Sequence, residues 1–481
     1  MKELQKQNKG PFGEIKLNVI GSSSFSHPFL WHWIFKTFPI SLVLKYQKWI
    51  NPFFDSLFTL LSYNIALKIG LARNESLVIV ALYLFTPMWF SQLSHGPRIF
   101  SLTPRLFSEI LTNLFYIITI IPLGLSYWFA VIIGAFTSCM VIVSTKFGVQ
   151  AIFFLTPVIS VLLNDPKPIF SITFGTLLSV AISRGKIFYA LKEQYLHLQN
   201  YYKKNKDGKM PVSKRNRINT LLESLDNHYG FIKKSMVVFR RMLFENSYTG
   251  VLFKMPIILF TLLISFIYLD QPSISEINTF LRAVLGAFFV YLVINIPQLL
   301  FLGEAERYLN HVAFFIVVSC FLVLKRADCD WLIYLSIGYG FVYWIFESFF
   351  LHKIMPDNLK IRRKSDSIIE FLKKKQEQKV ILSYPYHAVG YYRIMLETKH
   401  KVICADLDRE QGTRSKNNWY DHKYPYVNLN VLDRIHNELG LDIVIIDNKE
   451  LESMRSGWRP SSLWKKNEIG DPFFSIYELN E

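Results

Sequence analysis

Ser126-Tyr-Trp-Phe-Ala-Val-Ile-Ile-Gly-Ala-Phe-Thr-Ser-Cys-Met-Val-Ile-Val143 runs for eighteen residues without a charged side chain. A helix rises about 1.5 Å per residue, so a stretch of this length approaches the hydrocarbon thickness of a bilayer. Helices at the surface of a soluble core keep a polar face toward water, and most of the apolar runs in this chain keep none. Nine further stretches of the same kind lie at residues 52–71, 76–92, 104–124, 147–164, 168–188, 249–269, 278–301, 309–325 and 331–351. The sequence therefore predicts a polytopic α-helical membrane protein with about ten transmembrane helices. Proline-bearing stretches such as Thr156-Pro-Val are kinks inside a span or divisions of it.

The bulk composition agrees. Hydrophobic residues make up 51% of the 481 positions, charged residues 19%, and the net charge is +17. A basic excess raises nucleic acid as a partner, but in so apolar a chain Lys and Arg collect in loops that face anionic headgroups. Membrane lipids are the expected partner, and nucleic acid is not. Cys139, Cys320, Cys329 and Cys404 are scattered, without the paired spacing of a disulfide framework or a zinc site. Residues 1–26 are polar and basic and lack the apolar segment of a cleavable signal peptide.

Three regions follow. Residues 1–51 form a polar N-terminus and an interfacial aromatic segment, 52–355 the transmembrane domain, and 356–481 a small α/β soluble domain. The transmembrane domain is interrupted at 190–248, where twelve Lys and Arg face five acids. Within that interruption Ile218 to Leu225 has the pattern of a surface-lying amphipathic helix; a solvated basic loop is the plainer alternative. In the C-terminal region Lys379-Val-Ile-Leu-Ser, Lys401-Val-Ile-Cys-Ala, Leu441-Asp-Ile-Val-Ile-Ile-Asp447 and Phe473-Phe-Ser-Ile-Tyr-Glu-Leu predict strands. Helices are expected from Ser367 and over Val431 to Gly440, the glycine serving as a C-terminal stop. Tyr384-Pro-Tyr-His-Ala-Val-Gly390 stands where a dinucleotide fold would place its glycine-rich phosphate loop, and it is no such loop. Asp406, Asp408 and Asp447 lie at strand ends, where turn and capping roles explain them as well as ligand binding does.

Three short stretches concentrate polar chemistry at the edges of spans. Phe25-Ser-His-Pro-Phe-Leu-Trp-His-Trp33 carries His27 and His32 among tryptophans, which favour the membrane interface; an interfacial helix from about Pro28 to Phe38 is expected. Ser94-His-Gly-Pro-Arg-Ile-Phe-Ser-Leu-Thr-Pro-Arg105 holds His95, Arg98 and Arg105 in a loop shaped by Gly and Pro. Arginine's planar donor fork suits phosphate oxygens, and topological charge at a helix end is the alternative. Gly303-Glu-Ala-Glu-Arg-Tyr-Leu-Asn-His311 places Glu304 and Glu306 beside Arg307, where acids need a partner or water. An ion pair or helix cap accounts for them as well as a polar site does.

Taken together, these stretches resemble the GT-C superfamily of membrane glycosyltransferases. His27-Pro-Phe-Leu-Trp-His is similar to the Pro-aromatic segment of its mannosyltransferase and aminoarabinose-transferase branches, and Gly303-Glu-Ala-Glu-Arg-Tyr to a motif of bacterial polysaccharide enzymes. The Lys- and Phe-rich composition points to a bacterial inner membrane, and the resemblance implies an integral membrane protein that moves a sugar from a polyprenyl-phosphate donor to a surface glycan or lipid acceptor. It implies an acid to deprotonate the acceptor, for which Glu14, Glu304 and Glu306 are the candidates. It implies cations at the leaving phosphate: His27, His32, His95, Arg98, Arg105 and Arg307, with a divalent metal as a further source. In the family the key acid follows a first membrane helix and the C-terminal domain lies outside. Residues 1–26 offer only Glu3 and Glu14 and no apolar helix, so the expectation is a chain that lacks its relatives' first helix and is impaired in catalysis. A transporter, flippase or polymerase-like protein for lipid-linked sugars is the competing class, and a non-catalytic membrane scaffold a third.

Overall fold

The computed structural model describes residues 19–20, 30–90, 104–206, 216, 238, 242, 246–268, 275–385, 388–389, 391–403, 429–453, 460–467 and 472–480. The chain divides into two compact units. The first takes residues 27–201 and 211–349, the second residues 2–26, 202–210 and 350–481.

The first unit is helical. A short α1 (Leu30–Lys36) is followed by α2 (Ile40–Lys68), α3 (Arg73–Phe85), α4 (Pro87–Phe90), α5 (Pro104–Ile120), α6 (Tyr127–Ile142), α7 (Lys146–Leu163), α8 (Lys167–Ser183) and α9 (Ile187–Lys206). Then come α10 (Ser247–Lys254), α11 (Pro256–Tyr268), α12 (Ser275–Ile294), α13 (Glu306–Asn310), α14 (Ala313–Arg326) and α15 (Asp330–Lys364). Every apolar stretch expected to span is helical over most of its length. Three helices, Lys146–Leu163, Ile277–Ile294 and Asp330–Phe349, are long and apolar enough to cross a membrane, and five result if each of two bent pairs counts as one span. The remaining apolar stretches form helices that are shorter or more polar. α2 begins twelve residues before the expected start of its span, at Ile40 rather than residue 52, because Pro52 sits inside the helix instead of opening it.

The apolar residues of this unit face two ways. On α6, Val131, Ala135 and Cys139 are buried while Trp128, Ile132 and Phe136, one helical turn apart, are exposed. An apolar outer stripe of this kind suits a hydrocarbon environment rather than water. The inner stripe packs tightly because it is built of small residues. A Cβ added at Gly175 of α8 would lie 1.9 Å from Ser138 Oγ and 2.6 Å from the carbonyl of Ala135. Ser138 Oγ donates to the Ser171 carbonyl at 3.0 Å, and Ser171 Oγ donates to the Val131 carbonyl at 3.2 Å. Small residues that let backbones touch, and hydroxyls that bridge them, hold helices together where no hydrophobic gain is available. Between α10 and α11 the axis turns by 91° at Met255. Pro256 opens α11, where its missing N–H costs no helical bond.

The second unit is a doubly wound sheet with helices on both faces. β1 (Val19–Ile20), β2 (Val380–Tyr384), β3 (Lys401–Ile403), β4 (Ile443–Asp447), β5 (Trp464–Asn467) and β6 (Phe474–Leu479) are ordered β1-β3-β2-β4-β6-β5. The first four in that order run parallel, and β6 pairs antiparallel with both β4 and β5. α16 (Asp366–Lys374), α17 (Tyr391–Glu397), α18 (Leu432–Leu439) and α19 (Asn448–Ser453) complete it. Side chains alternate along a strand, and the core divides accordingly. Leu382, Val444 and Ile446 pack with Leu432 and Ile435 of α18 on one face. Ile381, Ile443 and Ile445 pack with Ile368, Ile369 and Leu372 of α16 on the other. Gly440 ends α18 in the left-handed region at φ 66°, as the sequence predicts. β1 and β5 join this sheet beyond the four expected strands; β1 pairs Val19 with Val402. The expected amphipathic helix at 218–225 lies outside the described residues.

Candidate functional site

The polar residues of the helical unit meet where α5 approaches α13. α5 opens with Pro104 at its first position, placing Arg105 in the first turn and Glu109 one turn on. Their side chains pair at 3.2 Å, with Glu109 buried and Arg105 partly open. Asn113, a further turn along the same face, does structural work. Its amide donates to the Asn310 carbonyl at 2.9 Å, and its oxygen accepts from the Phe314 N–H at 3.0 Å. These are the backbone groups that the break between α13 and α14 would leave bare, so Asn113 caps both helices from outside. Asn310 Nδ2 in turn donates to Glu109 Oε1 at 3.4 Å.

Gly303 lets the chain turn into α13, with φ 107° and the ring of Phe147 beside it. Arg307 pairs with Glu304 three residues back, and its guanidinium lies 5.7 Å from the centre of the Phe147 ring. Burial and the neighbouring Arg105 hold Arg307 below the usual arginine range, against the pull of Glu304, Glu306 and Glu109; it remains a cation, as arginine does in proteins. Glu306 accepts from Ser247 Oγ at 2.9 Å, at the N-terminus of α10. Ser247 is itself fixed: its carbonyl accepts from the Tyr291 hydroxyl at 3.2 Å, and its N–H donates to Asn216 Oδ1 at 2.6 Å. The result is two arginines and three carboxylates drawn from α5 and the 303–307 segment, roughly balanced in charge.

Four of the residues expected from sequence therefore come together: Arg105, Glu304, Glu306 and Arg307. His32 lies on α1, next to Trp31, whose ring is 5.2 Å from that of Phe107 on α5. α1 thus leans on the start of the helix that carries Arg105. Glu14, His27, His95 and Arg98 lie outside the described residues, as do Asp406 and Asp408. Asp447 accepts from the Lys449 N–H at 3.0 Å, a capping role at the start of α19. Glu109, Asn113, Asn310 and Phe147 complete the cluster without having been nominated. The i,i+4 spacing of Arg105 and Glu109 is the one signal in the sequence that pairs any of them. Among the described residues no group of three or more His, Cys, Asp and Glu side chains is placed to hold a metal ion.

No known protein-family profile matches this chain, and no curated protein sequence matches it.

Proposed function

We propose that the chain is an integral protein of a bacterial inner membrane that transfers a sugar from a polyprenyl-phosphate donor to a surface glycan or lipid acceptor. The reading is supported by one observation above the others. Arg105 and Glu109 share a partly buried cluster with Glu304, Glu306 and Arg307, residues about two hundred positions away in the chain. Arginines held close together give a lipid phosphate its counter-charge, and a neighbouring carboxylate gives an acceptor hydroxyl its base. Glu304, which pairs with Arg307, and Glu306, which accepts from a serine hydroxyl, are the two candidate bases of the cluster. The outward apolar stripe of α6 supports the membrane setting.

The test is transfer from a radiolabelled polyprenyl-phosphate hexose in membranes holding the full chain. Glu306→Gln and Arg307→Ala should each lower the rate by about 10²-fold or more, in the range seen when a general base or an oxyanion partner is removed. Full activity in both variants would overturn the assignment.

The competing transport reading draws on a different observation. α10 and α11 form a bent pair, and Ser247 at the start of α10 binds Glu306. Interrupted helices mark substrate sites in many transporters. Uptake of a labelled lipid-linked sugar across proteoliposomes, without any transfer to acceptor, would favour that class.

A further inference from the structure

The end of α8 sends the chain off in a new direction. Arg184 closes α8 in the left-handed region at φ 51°, its N–H donating to the Ala181 carbonyl. Gly185, at φ 77°, donates to the Val180 carbonyl at 2.9 Å. These bonds satisfy carbonyls that the end of a helix leaves bare. Ser183 Oγ accepts from the Ile187 N–H at 3.2 Å and so opens α9. Between the two helices the axis turns by 117°, and α9 does not continue the path of α8. Its inner face, Ile187, Ala190 and Gln194, is buried at spacings of three and four residues. Ile187 and Ala190 pack with Leu30 of α1, with Val143 after α6 and with Val149 of α7. Gln194 Nε2 donates to the Lys146 carbonyl at 2.7 Å. α9 therefore lies across the turn between α6 and α7, one residue from Phe147, whose ring lies under Arg307.

The outer face of α9 differs in kind from that of α6. Phe188, Tyr189 and Tyr195 are 59%, 64% and 61% exposed, and Lys186, Lys192 and Gln199 are exposed among them. On α6 the exposed stripe is Trp128, Ile132 and Phe136, without a charge. Rings that end in a hydroxyl have an apolar body and a polar tip, and both are satisfied where headgroups meet acyl chains. Lysines beside them keep their stems against the apolar layer and extend their charge to phosphates. Residues 184–206 hold six Lys and Arg and one acid, so the complementary surface is anionic. Neither hydrocarbon nor water alone suits such a face.

We propose that α9 is an interfacial helix, embedded by Phe188, Tyr189 and Tyr195 in the headgroup layer of an anionic lipid surface that Lys186 and Lys192 engage. The inference does not depend on the chemistry proposed for the arginine and carboxylate cluster. It sets the depth of that cluster, because α9 and the turn it crosses hold Phe147 and Arg307 close to the headgroup level. A lipid-borne phosphate reaches the arginines there without leaving the layer in which it lies.

The experiment uses the full chain in nanodiscs of phosphatidylcholine and phosphatidylglycerol in equal parts. A fluorescent amino acid replaces Tyr189, Tyr195 or, as the reference on α6, Phe136. Quenching is read with a nitroxide carried near the lipid headgroup, with one near the end of an acyl chain, and with iodide in the water. At the Tyr189 and Tyr195 positions the shallow nitroxide should quench more than the deep one, and at the Phe136 position less. A shallow nitroxide on phosphatidylglycerol should quench the two α9 positions about two- to threefold more than the same group on phosphatidylcholine. Lys186→Gln combined with Lys192→Gln should bring the two lipids to parity and leave the Phe136 position unchanged. Stronger quenching of α9 by the deep nitroxide would make it part of a span, and quenching by iodide alone would place it in water. Quenching by none of the three would mean that protein covers it. Each of these overturns the proposal, as does parity between the two lipids without the lysine substitutions. No lipid quenching at any of the three positions would remove the membrane setting of the proposed function with it.

Discussion

Each unit buries a histidine completely, and the two are treated in opposite ways. His400, at the start of β3, is 0% exposed, with Nδ1 accepting from the Lys379 N–H at 3.0 Å and Nε2 lying 2.7 Å from the Leu372 carbonyl. It ties α16 to the start of β2. His311, at the end of α13, is as deeply buried, and neither of its ring nitrogens has a hydrogen-bond partner among the described residues. Arginines show the same divide. Arg393 in the α/β unit donates to Ser365, Asp366 and Glu397, while Arg307 has an acid at one side and an aromatic ring at the other. A polar group whose every bond is met within the protein belongs to the fold. One that is buried and left unmet by the described residues adds nothing to stability through hydrogen bonding.

The largest effect that this contrast predicts is at His400. His400→Ala strands a backbone N–H and a carbonyl in the α/β unit and should cost about 2–4 kcal/mol. Hydrogen exchange on the full chain should show the loss in β2, β3 and α16, leaving α5 and α14 as protected as before. An undiminished α/β unit would break the comparison at its first term. Next comes Asn113→Leu, similar in size but unable to cap. It uncovers the Phe314 N–H and the Asn310 carbonyl, and about 1–3 kcal/mol should vanish from the helical unit, read as faster exchange in α13 and α14. His311→Leu supplies the contrast. Deleting an unpaired imidazole should leave stability within about 0.5 kcal/mol of wild type, or raise it. A loss as large as that at His400 would show the two histidines to be alike.

The smallest expected effect depends on pH. Glu75 sits at the start of α3, where its carboxylate accepts from the Ala72 N–H at 2.8 Å and pairs with Lys325. The lysine's hydrogen bond, with that from the backbone, holds the carboxyl below its ordinary value. A carboxyl depressed in the folded protein stabilises it above the ordinary carboxylate range, and the gain is lost as pH falls through the lowered value. Lys325 is about half exposed, so water and salt limit the gain to less than about 1 kcal/mol. Thermal melts of Glu75→Gln should approach those of wild type in acid and fall slightly below them at neutral pH.

Much of the α/β unit can be read from its sequence, because buried strands advertise themselves. Val380 to Leu382 and Ile443 to Ile446 are continuous apolar runs, as strands covered on both faces tend to be. β1 is hidden for the opposite reason. Val19-Ile20 is a two-residue strand in a polar stretch, and its partner lies some 380 positions away, so no local period reveals it. β5, Trp464-Lys-Lys-Asn467, is an edge strand and as polar as a loop. In the helical unit the apolar stretches mark the helices but not their ends: Pro52 suggests a boundary and is absorbed into α2. The site divides along similar lines. Charges at span edges, such as Arg105, Glu304, Glu306 and Arg307, stand out by being costly there. Glu109 and Asn113 lie within an apolar run, and their partners on α13 are about two hundred residues off. Only the folded chain brings these together.

The pairing of β1 with β3 also carries a count. Two strands joined by hydrogen bonds occupy one compartment, so residue 20 and residue 401 stand on the same side of any membrane the helices between them cross. A chain that leaves a compartment and ends in it has made an even number of passages. Helix length and apolarity supply three crossings, or up to five if bent pairs count as spans. Of those totals only four, one bent pair crossing and the other not, keeps that strand in its sheet; any other needs a shorter helix to make the return journey.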